Sequence, residues 1–320
     1  MKKIAFLITA LLCTFNVFTQ TIDDAGKKFN DGNEQFKANN YSQAIKNYEE
    51  AISICEELGE DGNDLKAQAS KMIPRVKLTE SKIFIKDKNY DQAISALNET
   101  IDVANKYNDA NTAASAKKLI SNVYIINAQN AYKQKDFDNA IKQADLALKN
   151  DPTAANAHIF KALSYSELDD EQQVYNSINK VLEVTSEKDS KVRDNAIQIG
   201  SSYFTNKGQV LLAENKFNVA LEAFDKALEI DSESENLFYL KASCLNKLER
   251  YDDAIATGNK GLEVPLKSQD IRNGIHLELA RAYEAKGDTN NACTNYKQAA
   301  KTKAFEVEAN QKIKDVLKCN

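Results

Sequence analysis

The chain has 320 residues, 42% of them hydrophobic and 28% charged, with a formal net charge of −5, a balance that excludes a disordered polyelectrolyte and argues against a nucleic-acid partner. Ten Gly and three Pro make about 4% of the chain, against roughly 12% in average proteins, too few breakers for a β-sandwich, a barrel or a glycine-rich phosphate loop. With no Trp, two His and two Met, the chain is also short of the residue types that most often build active sites.

The first nineteen residues read as a signal peptide. Met1-Lys2-Lys3 is a basic start, Ile4 to Cys13 is an apolar run of ten, and the sequence turns polar after Thr19, the expected cleavage point before Gln20. A run of ten is short of the ~20 residues that a membrane anchor needs. Leu12 stands where a lipoprotein signal with Cys13 as the lipidated residue would want a small one. No later stretch reaches membrane-spanning length. Loss of Lys2 and Lys3 leaves 40 basic against 47 acidic residues, so the exported product is expected to carry about −7.

From Gln20 onward the dominant signal is internal repetition. Alignment on one small residue gives Ala44, Ala93, Ala140, Val174, Ala220, Ala254 and Ala292. Twelve places earlier stand Gly32, Ser81, Ala128, Ala162, Gly208, Ala242 and Ala280, and seven places later Ala51, Thr100, Ala147, Val181, Ala227, Gly261 and Ala299. An aromatic three places before the reference recurs as Tyr41, Tyr90, Phe137, Phe217 and Tyr251, with Glu171 and Thr289 departing from it. Small residues at fixed spacing let two helices approach closely. The stretch Gly32-Asn33-Glu34-Gln35-Phe36 through Tyr41 and Ala44 to Ile52 resembles a tetratricopeptide repeat, a helix–turn–helix unit of 34 residues in which these columns are positions eight, seventeen, twenty and twenty-seven. The resemblance implies an all-α, right-handed superhelix of about seven repeats (25–58, 74–107, 121–154, 155–188, 201–234, 235–268 and 273–303) within a solenoid over 20–303, closed by a C-terminal capping helix over 304–320. The family's Trp at position four is absent throughout, replaced by Lys28, Lys77, Tyr124, His158, Phe204, Phe238 and His276, and its terminal Pro survives as Pro152.

Spacings between the reference residues exceed 34 by 15, 13 and 12 before the second, third and fifth repeats. Insertions of that length keep a helical stripe in phase, so long first helices are expected near 63–86, 109–135 and 188–215. Pro74 falls inside the first of these and is expected to kink or break it.

Of the cysteines remaining after signal removal, Cys55 and Cys244 fall in helical stripes and read as buried thiols. Cys293 lies near the start of the last second helix and Cys319 at the end of the capping helix. An antiparallel pair turning near Lys303 brings them to one end, although ten residues back and sixteen forward are unequal counts. The ending also resembles the paired cysteines of some exported bacterial repeat proteins, so the pair is the disulfide candidate. His158 and His276 take a packing position, and no Cys-x-x-Cys pair accompanies them, so no metal or other cofactor is expected. Asp169-Asp170-Glu171 and Glu233 with Glu235 read as turn and solvated carboxylates. No nucleophile, phosphate-loop or dinucleotide motif is present, and the chain is expected not to be an enzyme.

In the repeat family, positions nine and thirteen of the first helices tend to line a concave groove. Here they give Asn33, Lys82 and Gln129, and Lys37, Lys86 and Lys133, with Lys247 further on and Glu167, Ala213 and Ala285 elsewhere. This basic ladder could hold an acidic protein or peptide segment, or be merely solvated. The family's two-carboxylate clamp is not intact, since Phe29 stands at its first Lys. The expected function is a non-enzymatic protein-interaction scaffold in the periplasm, envelope or medium. Alternatives are a self-assembling homo-oligomer, with the long helices as contact surface, and a glycan or surface-polymer binder, for which Tyr132 is one of few groove aromatics.

Overall fold

The computed structural model describes residues 20–319, so the signal-peptide reading of 1–19 lies outside the described residues. Among the described residues there are fifteen α-helices and no strand. They are α1 (Ile22–Lys37), α2 (Tyr41–Leu58), α3 (Asn63–Lys86), α4 (Tyr90–Lys106), α5 (Ala110–Lys133), α6 (Phe137–Asn150), α7 (Ala155–Glu167), α8 (Glu171–Val184), α9 (Ser190–Ala213), α10 (Phe217–Ile230), α11 (Glu235–Lys247), α12 (Tyr251–Glu263), α13 (Gln269–Ala285), α14 (Thr289–Ala299) and α15 (Lys303–Gln311). The described residues form two compact bodies, 20–123 and 124–319, each described by itself.

Each odd-numbered helix from α1 to α13 passes to its partner through the same link. The residue at position fifteen takes a left-handed backbone: Asn39, Lys88, Lys135, Asp169, Asn215 and Glu249 have φ between 54° and 62°, and Gly287 has 76°. The next amide then bonds back five residues, as in Asn40 N–H to Gln35 C=O at 2.9 Å, Asn89 to Phe84 at 2.8 Å and Asp170 to Tyr165 at 3.0 Å. This is a Schellman ending, which satisfies carbonyls that the helix terminus would leave bare. The residue that closes it is also the N-cap of the second helix. Asp136, Asp170 and Asp288 in that place accept the amides of Asn139, Gln173 and Asn291. The aromatics Tyr41, Tyr90, Phe137, Phe217 and Tyr251 each open a second helix, as the repeat column implies.

The small columns are where helices touch. A Cβ on Gly32 would lie 2.7 Å from Tyr48 Cε1, and one on Gly208 would lie 2.5 Å from Phe224 Cε1. Both aromatics sit at position twenty-four and are fully buried. Where position eight carries a side chain, position twenty-four is in most repeats smaller than these aromatics, as buried Leu97 and Ala144 are in the second and third repeats. In the second repeat Ser81 Oγ also meets Thr100 Oγ1 at 3.0 Å, a buried hydroxyl pair across the crossing.

The three long first helices are α3, α5 and α9, each of 24 residues. Contrary to the expectation of a break, α3 runs as one element through Pro74. An interior proline forgoes one backbone bond at a cost of about 3 kcal/mol. Pro74, Ile73 and Val76 are all buried on α3, which packs against both α2 and α4, and that burial offsets the loss. The capping helix is shorter than expected. α15 ends at Gln311, and a single π-turn follows over Lys312–Val316.

The six links in which a side-chain-bearing residue takes the left-handed position are a reserve of strain. Lys88→Gly is expected to raise the unfolding free energy by roughly 0.5–1 kcal/mol, and Gly287→Ala to lower it by a similar amount. Urea unfolding of both variants checks this, and a stabilising Gly287→Ala would contradict it.

Candidate binding surface

The six groove candidates fall on three first helices. In the first body, α1 carries Asn33 and Lys37 and α3 carries Lys82 and Lys86; in the second, α5 carries Gln129 and Lys133. Lys37, Lys82, Lys86, Gln129 and Lys133 are exposed, and none of the four lysines is in an ion pair among the described residues. Asn33 differs. It is half-buried and accepts a hydrogen bond from the Tyr48 hydroxyl at 2.8 Å, so its carbonyl is already committed to packing.

Lys37, Lys86, Lys133 and Lys247 are each the last residue of a first helix. A cation there complements the partial negative charge of the helix end. Position thirteen is thus held at every repeat by the Schellman turn two residues later. The structure adds two cations that the nine-and-thirteen columns do not reach. Lys71 and Arg75 are exposed on α3 beside the α4–α5 link at Tyr107 to Thr112, without ion pairs among the described residues.

The C-terminal body treats its own groove charges differently. A cleft of ≈ 510 Å³ is lined by Asn246, Lys247, Glu278, Arg281, Glu284 and Lys312, among others. Arg281, at position nine of the last repeat, grips Glu308 of α15 with Nε and Nη2, at 2.9 and 2.6 Å, while its Nη1 donates to buried Glu278 at 2.8 Å. Such a two-pronged guanidinium contact fixes orientation as well as charge. Asn246 donates to Glu278 at 2.8 Å. Lys312 reaches Glu284 at 2.6 Å, and Glu284 also accepts the Tyr296 hydroxyl at 2.5 Å. The capping segment therefore neutralises the last repeat's groove.

Several carboxylates and aromatics stand elsewhere than expected. Glu235, read as solvated, is 2% exposed. Its carboxylate accepts the amides of Lys267 and Ser268, each at 2.8 Å, and Arg272 Nε at 3.0 Å, which pins the α12–α13 link to the start of α11. Glu171, the departure from the aromatic column, pairs with Lys207 at 2.9 Å and Lys226 at 3.4 Å. Asp169 joins the same cluster through Lys207 at 2.7 Å and the Tyr203 hydroxyl at 2.8 Å. Hydrogen bonds from Lys207 hold both carboxyls below their ordinary range, and burial with the Asp169 contact pushes Tyr203 up to about 12. An ion cluster thus replaces the missing ring. Tyr132 is not a free platform for a sugar. It is half-buried against Phe137 and Phe160, with centroids 5.7 and 6.5 Å away, and its hydroxyl points to Glu167.

His158 is half-buried, and burial followed by Lys161 and Lys180 draws its pKa down. His276 is half-buried and meets Asn295 Oδ1 at 2.8 Å. Among the described residues no His, Cys, Asp and Glu groups converge in threes as a metal site, and no helix is long and apolar enough to cross a membrane. Cys55 and Cys244 are buried thiols, and burial pushes Cys244 up to about 11. Cys293 and Cys319 are joined as a disulfide, with Cα atoms 5.6 Å apart. The unequal counts are reconciled by the chain end. After the π-turn, Lys318 takes φ 49° and the Cys319 amide bonds back to the Ile313 carbonyl at 2.8 Å. Ile313 is ten residues beyond Lys303, as Cys293 is ten before it, so the fold-back takes up the surplus.

These features define a helix–turn–helix repeat protein whose accessible chemistry is a set of exposed cations on its first helices. Residues 274–304 match the tetratricopeptide repeat model, and residues 197–260 match the model for subunit 3 of the anaphase-promoting complex, cyclosome. With the same columns and turns recurring seven times, the fold is an all-α array of tetratricopeptide-type repeats. No curated protein sequence matches it. Among solved structures, the TPR2AB-domain:pHSP90 complex of yeast Sti1 is similar at 19% identity, covering 92% of this chain and 97% of that one, with a TM-score of 0.32. The C-terminal part of a TPR repeat-containing protein from Cytophaga hutchinsonii is similar at 16%, over 88% and 98%, with a TM-score of 0.37. A tetratricopeptide repeat protein from Parabacteroides merdae is similar at 11%, over 92% and 99%, with a TM-score of 0.30.

Alkylation in denaturant without reductant is expected to add two groups to the chain from Gln20 onward, at Cys55 and Cys244. Replacing Cys293 and Cys319 by Ser is expected to cost roughly 3 kcal/mol, as loop closure by a bridge of this span would give. Four alkyl groups by intact mass would show that the bridge does not form.

Proposed function

We propose that this protein is an exported scaffold that binds an acidic segment of another protein through the cations on its first helices and performs no chemistry itself. The tetratricopeptide fold is a protein–protein interaction scaffold, and the partner's chemistry is the finer reading. One observation carries it: Lys37, Lys82 and Lys86 of the first body stand exposed and, among the described residues, without ion pairs in a chain of net charge −5, whereas Arg281 of the last repeat and Lys312 of the capping segment are occupied by the chain's own carboxylates. Unpaired cations held in place by helices give an acidic partner charge complementarity that steers encounter and fixes register.

Export rests on the basic start, the apolar run of ten and the polar switch at Gln20, and on the disulfide between Cys293 and Cys319, a bond that persists in oxidising compartments. The glycan reading loses the groove aromatic it named, since Tyr132 is packed against two Phe rings.

Selection of displayed random peptides on the protein from Gln20 onward is expected to enrich Asp and Glu. Reversing Lys37, Lys82 and Lys86, all in the first body, to Glu is expected to weaken the selected peptides at least tenfold. Enrichment of uncharged apolar peptides, indifferent to the reversal, would contradict the reading.

A further inference from the structure

Four cations of the first body that make no ion pair among the described residues share one helix and one face of it. Lys71, Arg75, Lys82 and Lys86 of α3 are separated by four, seven and four residues. At 100° per residue they stand at about 0°, 40°, 20° and 60° around the helix axis, a sector of about 60°. At 1.5 Å per residue the row is about 22 Å long. All four are exposed, and no side-chain hydrogen bond or ion pair engages them among the described residues. The other charges of α3 lie off the row or at its start. Lys77 pairs with Glu80 and Glu99, Lys66 pairs with Glu56, and Asp64 shares the sector only in the first turn. Asp109, near Arg75, is engaged in capping Thr112, accepting its amide at 3.0 Å and its hydroxyl at 2.6 Å.

We infer that this face of α3 is a docking surface for an acidic amphipathic helix of a partner protein, lying along α3 with carboxylates at the same four-seven-four spacing. The inference rests on the acidic-partner reading above and narrows it to one helix of one body. The spacing is symmetric, so a partner helix can run in either direction and still place four carboxylates within one 60° sector. An extended segment cannot. At about 3.3 Å per residue it would need carboxylates at residues 0, 2, 5 and 7 to match the row, and the odd step turns the last two to the opposite side. A nucleic acid, with one charge per about 1.7 Å, is far denser than four cations over about 22 Å. The 11 residues of α3 before Pro74, which lengthen it beyond a regular first helix, supply Lys71 and so complete the row.

The test uses a 20-residue helical peptide with four Glu at the four-seven-four spacing, a second of identical composition with Glu spread around the helix, and a sulfated oligosaccharide, each followed by fluorescence anisotropy on the chain from Gln20 onward. The matched peptide is expected to bind at least tenfold tighter than the spread one, and to lose at least tenfold in affinity in Lys71→Glu/Arg75→Glu. Lys82→Gln/Lys86→Gln, which leaves the neighbourhood of Asp109 intact, is expected to weaken it in the same direction, and Lys191→Glu, an exposed lysine of the second body, to leave it unchanged. Equal binding of the two peptides, insensitive to both α3 variants but lost in Lys37→Glu, would overturn the inference while the acidic-partner reading stands. Binding of the oligosaccharide alone, or of neither peptide, would overturn both.

Discussion

The left-handed residue after each first helix is the constraint on which the rest of the molecule depends. It ends the helix, satisfies its last carbonyls through the bond from the following residue, and makes that residue the cap of the next helix. With the link fixed, the two helices of a repeat meet where their small residues are, and an aromatic at position twenty-four fills the space that glycine leaves at position eight, as Tyr48 does over Gly32 and Phe224 over Gly208. The same link sets the last turn of the first helix. A lysine at position thirteen is therefore presented at a fixed point, with the helix terminus favouring its charge.

Much of the fold was legible because packing leaves period and size in the sequence. The columns through Ala44, Gly32 and Ala51 gave the repeat, and the surplus spacing before the second, third and fifth repeats gave α3, α5 and α9. What was not legible involves partners distant in sequence. Nothing near Glu171 indicates that Lys207 and Lys226 replace the missing ring, and nothing near Glu235 marks it as the anchor of a link some thirty residues on. The left-handed turns were hidden for another reason. Six of the seven use Asn, Lys, Asp or Glu, so the glycine that usually marks such an ending is absent, and the low glycine count that excluded β folds also concealed the turns. Pro74 misled because its local cost is real but smaller than the burial around it. Lys71 and Arg75 were missed because the family's groove columns begin after them.

Charge is distributed by what each helix packs beside. In the C-terminal body, α15 and its π-turn bring Glu308 and Lys312 to Arg281 and Glu284, and the disulfide from Cys319 to Cys293 ties that segment down. The last repeat's charges are thus satisfied from within the chain. In the first body no ion pair among the described residues engages the row on α3, and the carboxylate nearest to it, Asp109 beside Arg75, is committed to hydrogen bonds with Thr112. A surface of that kind gives weak affinity per pair and depends on several pairs forming together. That is why the spacing carries more information than the count.

The most direct measurement is zero-length carbodiimide cross-linking of the matched acidic-helix peptide to the protein from Gln20 onward, with the joined residues read by mass spectrometry. Amide bonds from the peptide's Glu residues to Lys71, Lys82 and Lys86 are expected, because only carboxylates in direct contact with these amines are converted. Cross-links concentrated at Lys133 or Lys247, or scattered over the surface lysines, would contradict a docking row on α3.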